Sequence, residues 1–381
     1  MTVVTGNWLH APATQAVFDA LETTGHPGYF VGGCVRNALL DAPVADIDIT
    51  TAATPDMVSK AAESAGLKVV PTGIDHGTVT VVSGGTPHEI TTFRRDVGTD
   101  GRHAEVAFST SMKEDAARRD FTMNALYADR HGEVTDPVGG LPDLEARRLR
   151  FIGDAEVRIA EDYLRILRFF RFHAWYGDMA QGLDAEGLAA CAAGADGLKQ
   201  LSAERVGSEM KKLLRAPDPS PSVAAMAQAG LLARVMPGAD AKALPILVHL
   251  EAGQAPSMAR RVACLGGGEL KEPWRLSKTE ATEISVLRGL IGAGTGLAEI
   301  AYRHGADTAH DVALLRGALF EQPLPDGMEK DIAAGAKALF PVKATDLMPE
   351  FEGPALGAKL KDLETRWIAS GFALTKAALL G

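Results

Sequence analysis

The sequence predicts an α+β protein. A head with a mixed, largely antiparallel sheet and flanking helices occupies the first ~150 residues, and an all-helical remainder follows. Three observations point there. Short runs of alternating or β-branched residues fall between Tyr29 and Phe108, punctuated by glycine and proline. Helical spacing alternates with them. Beyond Phe151-Ile152 alanine and leucine dominate, as in AEGLAACAAGADGL and EMKKLLRA, and no convincing strand remains.

Val17, Phe18 and Leu21 recur at helical spacing after Pro12, so the first ~25 residues read as helix, broken at His26-Pro27-Gly28. Tyr29–Val31 is a short strand turned by Gly32-Gly33, and Cys34–Leu40 opens a helix that Asp41-Ala42-Pro43 ends. The Asp-Ile-Asp-Ile alternation makes Asp46–Thr50 a strand. Thr54 then caps a helix with Pro55 at its first position, running to Ala65 and stopped by Gly66. Strands follow at Leu67–Val70, Thr78–Val82 and His88–Phe93. Arg94–His103 (RRDVGTDGRH) is polar and reads as a mobile loop, after which Ala104–Phe108 resumes strand character. Ser111-Met112-Lys113-Glu114 has the form of a capping box and opens a helix through Arg119. Thr135–Arg150 is a loop rich in Asp, Pro and Gly, and Asp154 caps the first helix of the remainder. Breaks at Pro217–Pro221, Pro237-Gly238, Gly266–Gly268, Pro323–Pro325 and Pro341 divide that remainder into packed helices.

A chain of 381 residues is long for one core, so two or more domains are expected. No apolar run approaches the ~20 residues needed to span a bilayer. The N-terminus lacks the basic-then-apolar layout of a signal peptide, and the expected location is cytoplasmic. Cys34, Cys191 and Cys264 form no CxxC pair, which gives neither a zinc site nor a disulfide framework. The net charge of -10 argues against broad nucleic-acid binding. Yet seven arginines face four acids between Arg147 and Arg171, a local basic surface that suits a partner held in one groove.

The candidate chemistry begins at Asp46 and Asp48. Residues two apart on a strand share a face, with Cα atoms ~6.5 Å apart. Two carboxylates so placed can share hard divalent cations such as Mg²⁺, which take a few carboxylates plus phosphate oxygens and waters. Such ions serve phosphoryl-type transfer by activating the attacking hydroxyl and stabilising the leaving oxygen. A DxD alone is a weak signal and more often marks a solvated edge strand. Here, however, it follows a Gly-Gly turn that lets the backbone approach a ligand, helix-start amides that suit a phosphate, and Arg36 one turn in. Glu89, on a later strand, is a candidate third acid. Arg118-Arg119-Asp120 can contact phosphates and a ribose hydroxyl, or simply end a helix in solvent. Asp162, Arg165, Arg168 and Arg171 recur every three positions opposite Leu164, Leu167 and Phe170. Asp162 and Arg165 are one turn apart and can pair, presenting a donor/acceptor edge to a nucleobase. A surface helix laced with ion pairs would show the same stripe.

The segments GGCVRNALLDAPVADIDIT, HEITTFR, RRDFTMNAL, DPVGGLPDL, EDYLRILRFFRF and LSAERVGSEMKKLL occur in that order. Together they resemble the class II CCA-adding enzymes and bacterial poly(A) polymerases of the nucleotidyltransferase superfamily, over roughly residues 27–237. The resemblance implies addition of CCA to the tRNA 3′ end from CTP and ATP, with Mg²⁺ as cofactor and pyrophosphate released. It implies that Asp46 and Asp48 ligate the metal. Gly33 and Arg36 would hold the triphosphate, and Arg119 and Asp120 would contact phosphate and ribose. Asp162 and Arg165 would pair with the incoming base, with Arg168 and Arg171 nearby and Glu204-Arg205 bracing that helix. Arg94–His103 would match the loop linked to the final A addition. The implied division is a head over 1–150, a neck over 151–240 and a body and tail over 241–381. Within the tail, Ala344–Glu364, with Lys359 and Lys361, resembles the part that grips the tRNA elbow. Asn37 departs from the family's usual Asp, keeping its shape without its charge. Poly(A), CC-only and A-only addition stay open within the class. An HD-type phosphohydrolase, from His310-Asp311 with His249 and His304, and an inactive RNA-binding relative stay open outside it. The oligomeric state is not legible.

Overall fold

A computed structural model describes residues 2–74, 77–99 and 104–381, with 96–99 and 104–106 as backbone alone. The chain forms two compact units, Met1–Val235 and Met236–Gly381.

The first unit is built on nine strands: β1 (Gly28–Val31), β2 (Asp48–Thr51), β3 (Lys68–Gly73), β4 (Thr78–Ser83), β5 (Thr86–Thr92), β6 (Arg94–Thr99), β7 (Ala104–Phe108), β8 (Tyr127–Ala128) and β9 (Val134–Thr135). Seven make one sheet in the order β3-β4-β5-β2-β1-β8-β9, and β6 and β7 form a separate ribbon. Only β2 and β5 run parallel among the described residues; the other neighbours are antiparallel. The α-helices of this unit are α1 (Asn7–His10), α2 (Pro12–Glu22), α3 (Gly33–Leu39), α4 (Pro55–Ser64), α5 (Met112–Ala117), α6 (Gly140–Glu145), α7 (Ala155–Glu161), α8 (Leu164–Tyr176), α9 (Ala185–Ala193), α10 (Ala203–Leu214), α11 (Ser220–Gln228) and α12 (Leu232–Val235).

Alternation along the strands sets the two faces. Phe30, Ile49, Val79, Val81 and Ile90 are buried on the face that α2 and α4 cover with Val17, Phe18, Leu21, Val58 and Ala62. Phe18 and Phe30 meet at 4.6 Å between ring centroids. Each of these side chains larger than alanine contributes about 1.5–3 kcal/mol of burial. The opposite face carries a smaller cluster of Val31, Phe93, Ala116, Ala125, Tyr127 and Ile152. Asp48 and Glu89, offset by one residue from Ile49 and Ile90, lie on that second face.

The expected mixed sheet, its helices and the all-helical remainder are present, with differences at the edges. β2 begins at Asp48 rather than Asp46, because its ladders start at Asp48 with β5 and at Ile49 with β1. Arg94–Thr99, expected as loop, is strand, because Ala104–Phe108 supplies a partner ladder outside the main sheet. The remainder of that loop, 100–103, lies outside the described residues. β8 and β9 are two residues each, too short to show a period. The Thr135–Arg150 loop contains α6, held by Asp136, whose carboxylate accepts from the amides of Val138, Gly140 and Leu141. The capping box at α5 is half made. Ser111 Oγ accepts from the Glu114 amide at 3.3 Å, but Glu114 accepts from Ser109 Oγ instead of the Ser111 amide.

In the second unit the helices Leu244–Leu250, Met258–Leu265, Lys278–Ile291, Leu297–His304, Ala306–Leu319 and Met328–Lys337 precede Gly353–Ala369. Leu363, Trp367 and Leu379 pack there with Tyr302, Phe340 and Phe372. Arg260 and Arg261 are buried against both oxygens of Glu251, at 2.7 Å each. No helix among the described residues is long and apolar enough to cross a membrane.

Candidate nucleotide-binding and metal site

The parallel register sets Asp48 beside Glu89. Adjacent strands are about 4.8 Å apart, so the two carboxyls share a face. Asp46 is exposed, two residues before the strand. The Asp48 carboxyl is pushed up from its ordinary value by burial, then by Glu89 and by Asp46, with Arg119 opposing. Among the described residues no set of three or more His, Cys, Asp or Glu side chains forms a complete metal cage. The mutual repulsion of these acids still suits a hard cation that completes its shell with phosphate oxygens and water.

Gly32, between β1 and α3, sits at φ 72°, a conformation that favours glycine. A Cβ built there would lie 3.6 Å from Arg119 Nη1, so the turn faces that guanidinium. Arg36, on α3, is only 6% exposed. Its Nε and Nη2 donate to Asn37 Oδ1 at 3.2 and 2.9 Å, Nη2 also to the Tyr176 hydroxyl at 2.9 Å, and Nη1 to Asn124 Oδ1. Its guanidinium carbon lies 4.0 Å from the Tyr176 ring centroid. Every one of these partners is uncharged, and burial lowers the guanidinium from its ordinary value. Asn37 also donates from Nδ2 to the Pro43 carbonyl at 2.8 Å, tying Arg36 to the segment that carries Asp46. Gly33 contributes the adjoining helix start, its Cβ position 3.8 Å from Arg36 Nη2.

The Arg118-Arg119-Asp120 segment is held at every residue. Asp115, fully buried, accepts from Arg118 (Nε 3.0 Å, Nη2 2.7 Å), from Arg119 (Nε 3.3 Å, Nη2 3.0 Å) and from the Tyr127 hydroxyl at 2.7 Å. Burial alone would raise its carboxyl, but Arg119, Arg118 and Tyr127 outweigh it and hold it below the usual range. Arg158 of α7 donates to the carbonyls of Arg118 and Arg119. Asp120 Oδ2 accepts from Arg168 Nε at 2.8 Å and Nη2 at 2.5 Å. Its Oδ1 accepts from Asn124 Nδ2 at 2.9 Å and from the Phe121 amide. Against burial, the charge of Arg168, Asn124 and the remaining hydrogen bonds bring this carboxyl down to about 2.

On α8 the expected polar stripe is present, but its internal pairing is not. Asp162 precedes the helix in extended conformation; Oδ1 accepts from the Leu164 amide at 3.1 Å and Oδ2 from Arg205 Nη2 at 2.7 Å. Arg165 turns back instead to Glu161, one turn earlier, and to the Arg158 carbonyl at 2.5 Å. Arg171 Nε donates to Glu209 of α10 at 2.5 Å. Nor is α8 a surface helix: Leu164, Ile166, Leu167, Phe169, Phe170 and Phe172 are all buried.

The structure thus brings Gly33, Arg36, Arg119, Asp120 and Arg168 into one connected network, with Arg119 close enough to act on Asp48. Sequence reading missed Asp115, Asn124 and Tyr176. The first two flank the Arg-Arg-Asp run and carried a signal in their proximity. Tyr176 lies 140 residues from Arg36, and only the fold joins them.

The family described as "Poly A polymerase head domain" matches residues 28–150, and "Probable RNA and SrmB- binding site of polymerase A" matches residues 183–242. The chain is similar to human "CCA tRNA nucleotidyltransferase 1, mitochondrial", 44% identical over 215 residues that cover 54% of this chain and 50% of that protein. To the CCA-adding enzyme of Geobacillus thermodenitrificans it is 42% identical over 224 residues, covering 58% and 54%. The chain thus spans about half the length of the curated relatives it matches. Among solved structures, the Bacillus stearothermophilus CCA-adding enzyme in complex with CTP is 29% identical with a TM-score of 0.72, over 94% of this chain and 93% of that one. The Thermotoga maritima CCA-adding enzyme complexed with tRNA_CCA, 17% identical with a TM-score of 0.72 over 100% and 98%, shares the fold.

Proposed function

We propose that this chain, which belongs to the family of class II CCA-adding enzymes and bacterial poly(A) polymerases, adds CCA to the tRNA 3′ end from CTP and ATP without a nucleic-acid template. The tRNA 3′-hydroxyl attacks the nucleotide α-phosphate and pyrophosphate leaves. One observation carries this reading. A buried guanidinium with only neutral partners, Arg36, flanks a glycine turn that faces Arg119, and Arg119 in turn acts on Asp48. Cationic phosphate ligands and anionic metal ligands thus meet over one turn.

Asp46 and Asp48, with Glu89 beside them, would hold Mg²⁺, which supplies activation of the hydroxyl and charge neutralisation at the leaving group. Arg36 would take the triphosphate with the Gly33 amide, its charge completed by the phosphates. Arg119 would contact the phosphates through the edge that Asp115 leaves open. Asp120, held by Arg168, would present its carboxylate to the ribose. Asp162 and Arg165 would read the base. Arg205 holds Asp162 and Glu161 holds Arg165, so each reaches a base already oriented. Arg168 and Arg171 would serve mainly by fixing Asp120 and Glu209. Positioning of this kind supplies most of the catalysis.

We assign 1–150 as head, 151–240 as neck and 241–381 as body and tail, the tail segment with Lys359 and Lys361 contacting the tRNA elbow, in the cytoplasm. The phosphohydrolase reading loses its motif: His310 faces Glu329 at 2.9 Å while Asp311 pairs with Arg260 at 2.6 Å. Incubating the protein with tRNA lacking its 3′ end, labelled CTP and ATP, with Mg²⁺ or with chelator, tests the proposal. Magnesium-dependent incorporation is expected. No incorporation would place the chain among inactive RNA-binding relatives.

A further inference from the structure

Asp115 is a buried carboxylate (0% exposed) that the transfer reaction described above does not use. Two adjacent arginines face it, so one negative charge answers two positive ones. Its Oδ1 takes the Arg118 guanidinium and, at 3.2 Å, the backbone amide of Arg94, the first residue of the β6–β7 ribbon. Its Oδ2 takes the inner edge of Arg119, Nε and Nη2, together with the Tyr127 hydroxyl. Tyr127 shares itself between the two, accepting from Arg119 Nε at 3.2 Å while donating to Asp115. Nη1 is the Arg119 nitrogen that Asp115 does not touch, and it is the atom lying 3.6 Å from the would-be Cβ of Gly32.

A long arginine side chain loses much rotamer freedom when it is ordered for a ligand. A buried acceptor that grips one edge in advance removes that cost at the moment of binding. We propose that Asp115 is the positioning residue for Arg119, fixing its inner edge so that Nη1 is presented to the nucleotide phosphates at the glycine turn. The proposal rests on the nucleotidyltransferase reading. Asp115 balances only one of the two arginines it holds, which leaves the Arg119 charge to be shared between Asp48 and the phosphates.

The test is a double-mutant cycle in the full chain. Asp115→Asn, Arg119→Ala and the double variant are measured for KM and kcat with CTP and with ATP, alongside thermal melts. Asp115→Asn is expected to raise KM about tenfold or more, the scale of a hydrogen bond to a charged group, with kcat changed less than about threefold. In the Arg119→Ala background it should change KM less than about twofold, because its partner is gone. An equal KM rise in both backgrounds, or none in either, overturns the proposal. If Asp115→Asn does not fold, Tyr127→Phe replaces it in the same cycle. It is expected to raise KM about threefold only when Arg119 is present, and a rise independent of Arg119, or no rise, overturns the proposal. If the unmodified protein incorporates nothing, the proposed activity fails separately. The same cycle is then read by equilibrium binding of CTP and ATP, where absence of coupling, or of any binding, overturns the role of Asp115.

Discussion

Asp48 and Glu89 are register partners in the one parallel ladder of the described sheet, so two carboxylates occupy neighbouring positions on its half-open face. Burial first, and then the charges of Glu89 and Asp46, raise the Asp48 pKa. A raised carboxyl pKa means that ionisation costs stability. The penalty sets in as pH rises from the unfolded value through the folded one and is fully present above. Asp48→Asn should therefore raise the Tm of the metal-free protein at neutral pH while lowering incorporation by about 10³-fold or more, the scale of losing a transition-state charge stabiliser. Calorimetry and an incorporation assay check both signs, and added Mg²⁺ should raise the Tm of the unmodified protein but not of the variant. Asp46→Ala should abolish incorporation and leave the fold intact.

Arg36 is stacked on Tyr176 and bonded to Asn37 and Asn124, a fit that a lysine ammonium cannot reproduce. Arg36→Lys is expected to raise KM for both nucleotides about tenfold or more. Tyr176→Phe keeps the ring and removes the hydroxyl, and should raise KM only about two- to fivefold. Steady-state kinetics with CTP and ATP separate the two.

Asp120 owes its low pKa, about 2 despite burial, to Arg168 and Asn124. A depressed carboxyl pKa contributes stability above the unfolded value that is lost as pH falls through the folded one. Arg168→Gln should raise that folded value, so acid unfolding should begin at higher pH than in the unmodified protein. The same variant should reduce the preference for ribo- over deoxynucleotides about tenfold, because the carboxylate proposed to meet the ribose loses its holder. Melts against pH and a CTP/dCTP competition measure the two effects.

Asp162 is held by Arg205 rather than by Arg165. Asp162→Ala should disturb the choice between CTP and ATP more than tRNA binding, and Arg205→Ala should shift that choice in the same direction by a smaller amount. Unchanged discrimination in Asp162→Ala, measured by competing the two nucleotides, would remove Asp162 from base reading.

Much of this was legible in order along the chain. The strand, Gly-Gly turn and helix from Tyr29 to Leu40 carry local signals: β-branched and aromatic residues, glycine at φ 72°, and a proline stop. The same holds for the caps at Thr54 and Asp154, whose side chains accept from the third following amide. What escaped was decided by tertiary contact. Arg165 had two acids in reach, Glu161 and Asp162. Arg205, 43 residues from Asp162, settled the competition. Asp115 went unread although Arg118 and Arg119 stand three and four residues on, within helical reach; what no local signal shows is its full burial and the closure of the Tyr127 hydroxyl over it. The β6 ladder exists because β7 comes back alongside it, while its own polar composition reads as loop.

Whether this site extends a tRNA by CCA is decided by sequencing the 3′ ends of its products. The protein is given tRNA lacking its 3′ end with Mg²⁺ and CTP alone, ATP alone, or both. The expected products are CC from CTP alone, CCA with termination from both, and no homopolymer from ATP. A poly(A) tail, a single C or A in every reaction, or unextended tRNA would contradict it.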